Sequence, residues 1–370
     1  MKQQFNRERV TSLTDKVPLG VNGAGQSMYG GVDKLAWVTD MHDWKKNLVL
    51  KQRLLGLVSG GDYLIEVRPA GRDECDGHYR QVVEIRLKGT TRNHPILLVI
   101  HFDPTSSQRG FQRMECSPQH YSSQRITDLF VWLGRKGRIG KFLYRGLRNA
   151  WVTTIHYALD VVGMKPHDYF IGLSGVRRGD FYDLLGEQEG LRLGSTTIVA
   201  SVYEKVDAPE ISTQKRYEQT VLVLDEHQFR RFLRLELRLS PGKQKLMLNN
   251  LRNMENLIAK LAFYDRDALA DPMLEPKFAR LLREYVPYPV ARAKYKPSAS
   301  INGKQVSSTK KAADKRVDKL MAHYRIQLFD SEAIWAMLPL VLDKLGILAQ
   351  PQYWQYNLRL KWLQSRQKQG

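Results

Sequence analysis

The sequence predicts an α+β fold: an antiparallel sheet with flanking helices, followed by a mainly helical C-terminal region. Three observations carry this prediction. Strand-like apolar runs bounded by Gly, Pro and Asp recur at short intervals between residues 62 and 118. Three longer strand candidates follow between 152 and 240, and after Pro241 the apolar period changes from two to that of a helix. The chain's 370 residues can supply two or three folding units.

Residues 1–35 are polar and Gly-rich ("PLGVNGAGQSMYGG") and read as a flexible, surface-draped start. Residues 36–241 form the second unit. Its runs "DYLIEVRP" (62–69), "YRQVVEIRLKG" (79–89), "HPILLVIHFDP" (94–104) and "GFQRMECSP" (110–118) predict an antiparallel meander. Residues 123–150 carry a helical pattern punctuated by glycines. The strand candidates "VTTIHYALDVVG" (152–163), "STTIVASVYEK" (195–205) and "FLRLELRLS" (232–240) come next. Between them, 165–190 reads as loop and turn, and 206–231 as an insertion with helical character. In the third unit, 242–370, residues 243–269 predict a long amphipathic helix. The basic, Pro- and Ser-rich segment 286–316 reads as a linker or DNA-facing loop feeding a helix near 309–325. Two helices close the chain, the first capped by Asp330 or Ser331 and stopped at Gly346.

A net charge of +20 points to a polyanionic partner, because each phosphate neutralised by Lys or Arg releases condensed counterions. No apolar run is long enough to span a bilayer, and the N-terminus lacks the pattern of a signal peptide. Cys75 and Cys116 are the only cysteines, which argues against a disulfide framework or a thiolate zinc site and for a reducing cytoplasm.

Four strands could carry chemistry. In "RLELRL" the leucines fall on one face and Arg234, Glu236 and Arg238 on the other: a solvated ion-pair row, or a site where Glu236 binds a cation and an arginine meets a phosphodiester. "TTIHYALD" places His156 and Asp160 on one face about 13 Å apart along an extended strand, too far to chelate one ion together without a bulge. "FQRMECSP" puts Arg113, Glu115 and Ser117 on one face. "VASVYEK" puts Ser201, Tyr203 and Lys205 on one face. A tyrosine nucleophile needs help losing its proton and a cation nearby, which a lysine and a divalent ion can supply. Taken alone, Tyr203 reads as a packing residue, one of 17 tyrosines.

In combination and in order, "RMECSPQHY" (113–121), "VTTIHYALDVV" (152–162), "STTIVASVYEK" and "FLRLELRL" resemble the motifs of filamentous-phage replication initiation proteins and, more loosely, plasmid rolling-circle initiators. The resemblance spans roughly residues 110–240. It implies a Rep nuclease-like fold and a nickase dependent on Mg²⁺ or Mn²⁺. Such an enzyme cuts one strand at an origin, holds it as a 5′-phosphotyrosine, leaves a 3′-OH for polymerase, and later rejoins the displaced strand. On matching positions, Tyr203 would be the nucleophile, Lys205 its partner, and Glu115, Asp160 and Glu236 the acidic ligands. His156 stands where the family commonly has Asp; imidazole can still ligate and suits Mn²⁺ better than Mg²⁺. The chain lacks the His-hydrophobic-His metal motif of the better-known relaxases.

On this reading the partners are double- and single-stranded origin DNA in the cytoplasm of a bacterial host, with a host helicase, a host polymerase and a homodimer left open and no membrane. Arg113, Arg234 and Arg238 on the strands would meet DNA. So would Lys294, Lys296, Lys310, Lys311, Lys315 and Arg316 in the C-terminal unit, with Tyr288, Tyr295 and Trp354 available for stacking on unwound bases. The alternatives are a non-catalytic sequence-specific DNA-binding protein or repressor, and a transposase or mobilisation relaxase using the same chemistry.

Overall fold

The computed structural model describes residues 1–106, 108–176, 179–183, 189–194, 196–285, 287–296, 300–301, 304–305 and 309–367. It is mixed α and β, and among the described residues twelve strands join in one sheet. In chain order they are β1 (Val10–Thr11), β2 (Val17–Val21), β3 (Ser27–Thr39), β4 (Tyr63–Pro69), β5 (Tyr79–Leu87), β6 (Leu98–Pro104), β7 (Gln112–Cys116), β8 (Trp151–Val162), β9 (Gly179–Asp183), β10 (Glu189–Gly194), β11 (Ile198–Asp207) and β12 (Arg230–Leu239). Neighbours run β9-β10-β11-β12-β8-β3-β7-β6-β5-β4, with β2 added to β3 and β1 to β11. The pairings are antiparallel except the short parallel β1–β11. β4 to β7 are the expected meander.

Period-two patterning explains the central strands. Leu233, Leu235, Leu237 and Leu239 of β12, Tyr157, Leu159 and Val161 of β8, and Ala200 and Val202 of β11 are all buried. The core they enter also takes Leu50 and Leu54 of α1 (Trp44–Leu55), Ile126, Leu129 and Phe130 of α2 (Ser123–Leu133), and Leu143 and Leu147 of α3 (Lys141–Arg148). Two of these helices start on side-chain caps: Asp43 accepts from the Lys45 and Lys46 amides, and Ser122 from the Arg125 amide. Leu338, Val341, Leu342 and Leu345 near the C-terminus join the same core. The C-terminal region therefore closes back on the sheet domain. A second, smaller core lies around α4 (Pro276–Glu284), α5 (Tyr288–Lys294) and α6 (Lys310–His323), centred on Phe278, Tyr288, Tyr295, Ala313, Val317 and Met321.

Several sequence expectations are corrected. Residues 1–35 are not a flexible lead: Lys2–Asn6 pairs with Val221–Asp225, and β3 is the long strand between β8 and β7. The glycines there answer to close approach. A Cβ at Gly30 would stand 2.9 Å from Leu19 Cδ1, and one at Gly31 2.5 Å from Lys16 Nζ. The long helix over 243–269 is absent. Its apolar residues Leu246, Leu248, Leu251, Met254, Leu257 and Ile258 are buried through short 3₁₀ turns at Leu248–Asn253 and Ile258–Lys260, followed by a strand, Leu261–Tyr264. Spacings near three satisfy a 3₁₀ turn as well as an α-helix. Segment 165–190 contributes strands Phe170–Leu173 and β9, with 177–178 and 184–188 outside the described residues. The helical part of 206–231 is one short α-helix, Thr213–Glu218, and a 3₁₀ turn, Glu226–Gln228. Within the expected linker 286–316, residues 286, 297–299, 302–303 and 306–308 are outside the described residues, and α5 occupies part of the rest.

Gly31→Ala should drive the buried Lys16 side chain off Asp33 and lower stability by about 1–3 kcal/mol, as overpacking does. The midpoint of urea unfolding reads this directly, and an unchanged midpoint would show that Lys16 yields freely.

Candidate active site on the polar sheet face

The face of β11, β12, β8 and β3 opposite the leucines carries the site, and strand register decides which side chains meet. Tyr203 is paired across the strands with Arg234, Arg234 with Asp160, and Asp160 with Tyr29. The next row on this face is Ser201, Glu236, Ala158 and Gly31; the row after it contains Arg238, His156 and Lys34. Side chains two apart on one strand then reach between rows.

Tyr203, half-buried, donates its hydroxyl to Glu236 Oε2 at 2.6 Å. The other carboxylate oxygen, Oε1, is 2.7 Å from His156 Nδ1. The His156 and Glu236 side chains keep 16% and 17% exposure, enough for a ligand to reach them. Lys205 extends from the same face, with Nζ 5.7 Å from the Tyr203 ring centre. Burial pushes the Tyr203 phenol well above its usual pKa, and the carboxylates of Glu236 and Asp33 add to that. For Glu236, burial raises the pKa, but hydrogen bonds from His156 and Tyr203 outweigh it and hold the carboxyl below its ordinary range. Burial, with Arg234 nearby, lowers Lys205 to about 8. A protonated phenol therefore faces an ionised carboxylate, next to an amine that titrates close to neutral pH.

Beside this row lies a buried ion cluster. Arg234 is fully buried and donates from Nε and Nη2 to both oxygens of Asp160 at 2.7 Å, and from Nη1 to Asp33 at 2.6 Å and Gln119 at 3.2 Å. Lys16 Nζ completes Asp33 at 2.9 Å. Burial would raise the Asp33 pKa, but Arg234 and Lys16 drive it far below the usual carboxylate range. Asp33 reaches Arg234 from a β3 bulge, where the register with β8 slips between Val32 and Lys34. His120, two residues past the Pro118 turn, accepts from or donates to the Tyr217 hydroxyl at 3.2 Å; burial and neighbouring cations hold its pKa near about 3.

The sequence-predicted residues thus separate into groups. Tyr203, Lys205, Glu236 and His156 come together. Asp160 does not serve as an open metal ligand, because Arg234 occupies both of its oxygens, and Arg234 is not a DNA contact, because it is sealed and bound to two carboxylates. Glu115 lies farther along the face, ion-paired with Lys34 and with Arg113 at 2.8 Å, and is likewise committed. Burial raises the Glu115 pKa, and these two cations more than reverse it. Arg238 stands next to His156 across the strand pair. In the C-terminal unit Lys296, Lys311 and Lys315 are exposed, Lys294 donates to the Tyr285 hydroxyl at 2.7 Å, and Arg316 is half-buried. The Lys310 side chain is outside the described residues. Tyr288, Tyr295 and Trp354 are buried and are not free stacking platforms. The Tyr288 and Tyr295 hydroxyls bond Asp318 and Glu275, and Trp354 Nε1 donates to the Ile347 carbonyl at 2.8 Å.

Lys16, Asp33, Gln119 and His120 were missed as functional residues. Only Gln119 and His120 lay in a motif, and nothing in periodicity marks a bulge residue such as Asp33. Among the described residues no three His, Cys, Asp or Glu side chains converge as a metal cluster. The closest donor set is Glu236 with His156. Such a pair suits a hard divalent ion that fills its remaining positions with water and substrate phosphate.

Asp160→Ala should leave Arg234 a buried, half-paired charge and cost about 3–5 kcal/mol. Glu236→Gln, at a partly exposed position, should shift the same urea transition much less; equal losses would place Glu236 in the structural cluster. Among the described residues no helix is long and apolar enough to cross a membrane. No protein-family model matches the chain, and no curated protein matches it either.

Proposed function

We propose that this chain is a rolling-circle replication initiator on a Rep nuclease-like fold: a metal-dependent tyrosine nickase and strand transferase acting on origin DNA in a bacterial host. The observation that carries the reading is the 2.6 Å hydrogen bond from Tyr203 to Glu236, flanked by Lys205 and His156 on an accessible face of a strongly basic chain. A non-catalytic DNA-binding protein leaves that arrangement without a purpose.

The residues divide the work. Glu236 accepts the phenol proton as Tyr203 Oη attacks the scissile phosphorus. The new O–P bond forms as the P–O3′ bond breaks, and the Lys205 ammonium gives its proton to the departing 3′ oxygen. In rejoining, a 3′-OH attacks the phosphotyrosine, Lys205 takes back a proton, and Glu236 returns one to Tyr203. A divalent ion held by Glu236 and His156 would polarise the phosphate and neutralise its developing charge. Arg238, adjoining His156, is placed to meet a phosphate on the same strand. Double-stranded DNA would lie on the exposed lysines of α6 and on Lys296.

Incubating the protein with mixed-sequence single-stranded oligonucleotides and Mg²⁺ or Mn²⁺ should trap a covalent adduct that peptide mass spectrometry places on Tyr203. Tyr203→Phe should give none, and Glu236→Gln should slow adduct formation by about 10²–10⁴, the usual worth of a general base. An adduct on another tyrosine would overturn the site, and none under any condition would overturn the reaction.

Lys205 sets a pH dependence. The ammonium is the competent form, so nicking at limiting DNA, which reports the free enzyme, should decline as pH rises through about 8. Lys205→Met should be slow at all pH values and lack that limb. A wild-type profile flat from pH 7 to pH 9 at limiting DNA would remove Lys205 from proton transfer.

A further inference from the structure

A large cleft of about 830 Å³ opens on the same sheet face as the site, over β5, β6, β7 and the neighbouring ends of β3, β8 and β12. It begins where the active residues end: His156 is flanked across the strands by Arg238 and Lys34, and both line the cleft. Its charge is better read after its ion pairs are counted. Glu115 is neutralised by Lys34 and Arg113, Glu74 and Glu84 are both bonded to Arg68, and Glu84 also to Arg86, while the exposed Asp76 lies 4.0 Å from the His78 ring and keeps its charge. Arg109 and Lys243 on the rim are exposed, and among the described residues neither has a carboxylate partner, nor does Arg238. The cleft therefore offers uncompensated positive charge at three places. The wall between them carries rings: Tyr79 and Trp151 are packed into it, His78 is one-third exposed, and His101 is nearly buried. Burial, with Arg113 beside it, lowers the His101 pKa, so that buried ring adds no charge to the cleft.

Phosphate-binding cations around a trough with flat rings are the chemistry of single-strand binding, where the charges track the backbone and the rings take the bases. We propose that this cleft holds the nucleotides of the nicked strand on one side of the scissile phosphate, with Arg109, Arg238 and Lys243 on successive phosphates and a base against the partly exposed His78 ring. The inference rests on the nickase reading for the position of that phosphate. With Glu74, Glu84 and Glu115 neutralised, these three cations outnumber the exposed carboxylate, Asp76, and the cleft can accept an anion. A base contact at His78 favours unpaired DNA, since a duplex presents its bases stacked and inaccessible.

The test uses the Tyr203→Phe full-length protein, in which no covalent step interferes. A fluorescein-labelled oligothymidine of about 16 nucleotides is titrated by anisotropy across a salt series. Adding Arg109→Ala and Lys243→Ala, both at exposed positions, should weaken binding about tenfold at low salt and make the log–log salt slope shallower by about 1.4, the value for two lost single-strand phosphate contacts. Oligonucleotides carrying 5-iodouracil should cross-link to the His78–Tyr79 peptide. Unchanged affinity and slope, or cross-links confined to α6, would overturn the proposal, as would a mononucleotide that binds as tightly as the oligomer. The two readings fail separately. If the wild type forms the Tyr203 adduct while the double variant binds normally, the nickase stands and the cleft proposal falls. If the double variant loses binding while the wild type forms no adduct on any strand, the cleft is a single-strand site and the nickase reading falls.

Discussion

One buried guanidinium organises the polar face. Arg234 joins β12 to β8 through Asp160, to the bulge of β3 through Asp33, and to the turn after β7 through Gln119. Taking these charges out of water costs several kcal/mol per ion, and only near-complete pairing offsets it. The pairing is close to complete, since Lys16 supplies the second cation that Asp33 requires. Because such networks rarely add net stability over an apolar core, their value here is placement. Arg234 is the cross-strand neighbour of Tyr203, so the tyrosine borders a row that cannot shift register without exposing unpaired ions.

That rigidity bears on the chemistry. Tyr203 and Lys205 are displaced in opposite directions by the same burial, the phenol upward and the amine downward. Both displacements favour the neutral form, as a dry pocket must. On the proposed nickase reading, a phosphodiester entering beside Lys205 would reverse its part, because an anion favours the ammonium. Substrate binding would therefore raise the share of the lysine that can donate a proton. Glu236 differs: two hydrogen bonds keep it ionised despite burial, so the base is ready before substrate arrives.

The sheet was legible because leucine alternation in "RLELRL" and the run of short strands from 62 to 118 leave few other structures. The same alternation placed Tyr203, Lys205, Glu236 and His156 on common faces, and register then brought them together. Alternation says which way a side chain points, though not what it meets. Asp160 and Arg234 were placed on the right face yet bind each other, a cross-strand fact that single-strand patterning does not contain. The N-terminal glycines looked like flexibility, whereas Gly30 and Gly31 are small because Leu19 and Lys16 press on the strand. Asp33 was invisible because a bulge breaks the period on which the reading depends. Tyr288 and Tyr295 sat in a basic segment and resembled nucleic-acid contacts, but their rings fill the second core and their hydroxyls bond Asp318 and Glu275.

The chain's positive charge is correspondingly less uniform than its sum suggests. Part of it is internal: Arg234 and Lys16 neutralise Asp33 and Asp160, Arg113 and Lys34 neutralise Glu115, and Arg292 is held by Asp318. Those cations cannot release counterions from DNA, since they are already paired. Outward cations include Arg109 and Lys243 at the cleft rim and Lys296, Lys311 and Lys315 on the C-terminal unit, with others such as Arg72, Lys88, Arg135 and Lys141 spread over the sheet domain. The first lies along the groove that adjoins His156, and the second on a separate core. On the proposed nickase reading, the cleft would take the separated strand and the C-terminal lysines the duplex. A nicking enzyme must grip duplex and separated strand at once, and a repressor has need only of the first.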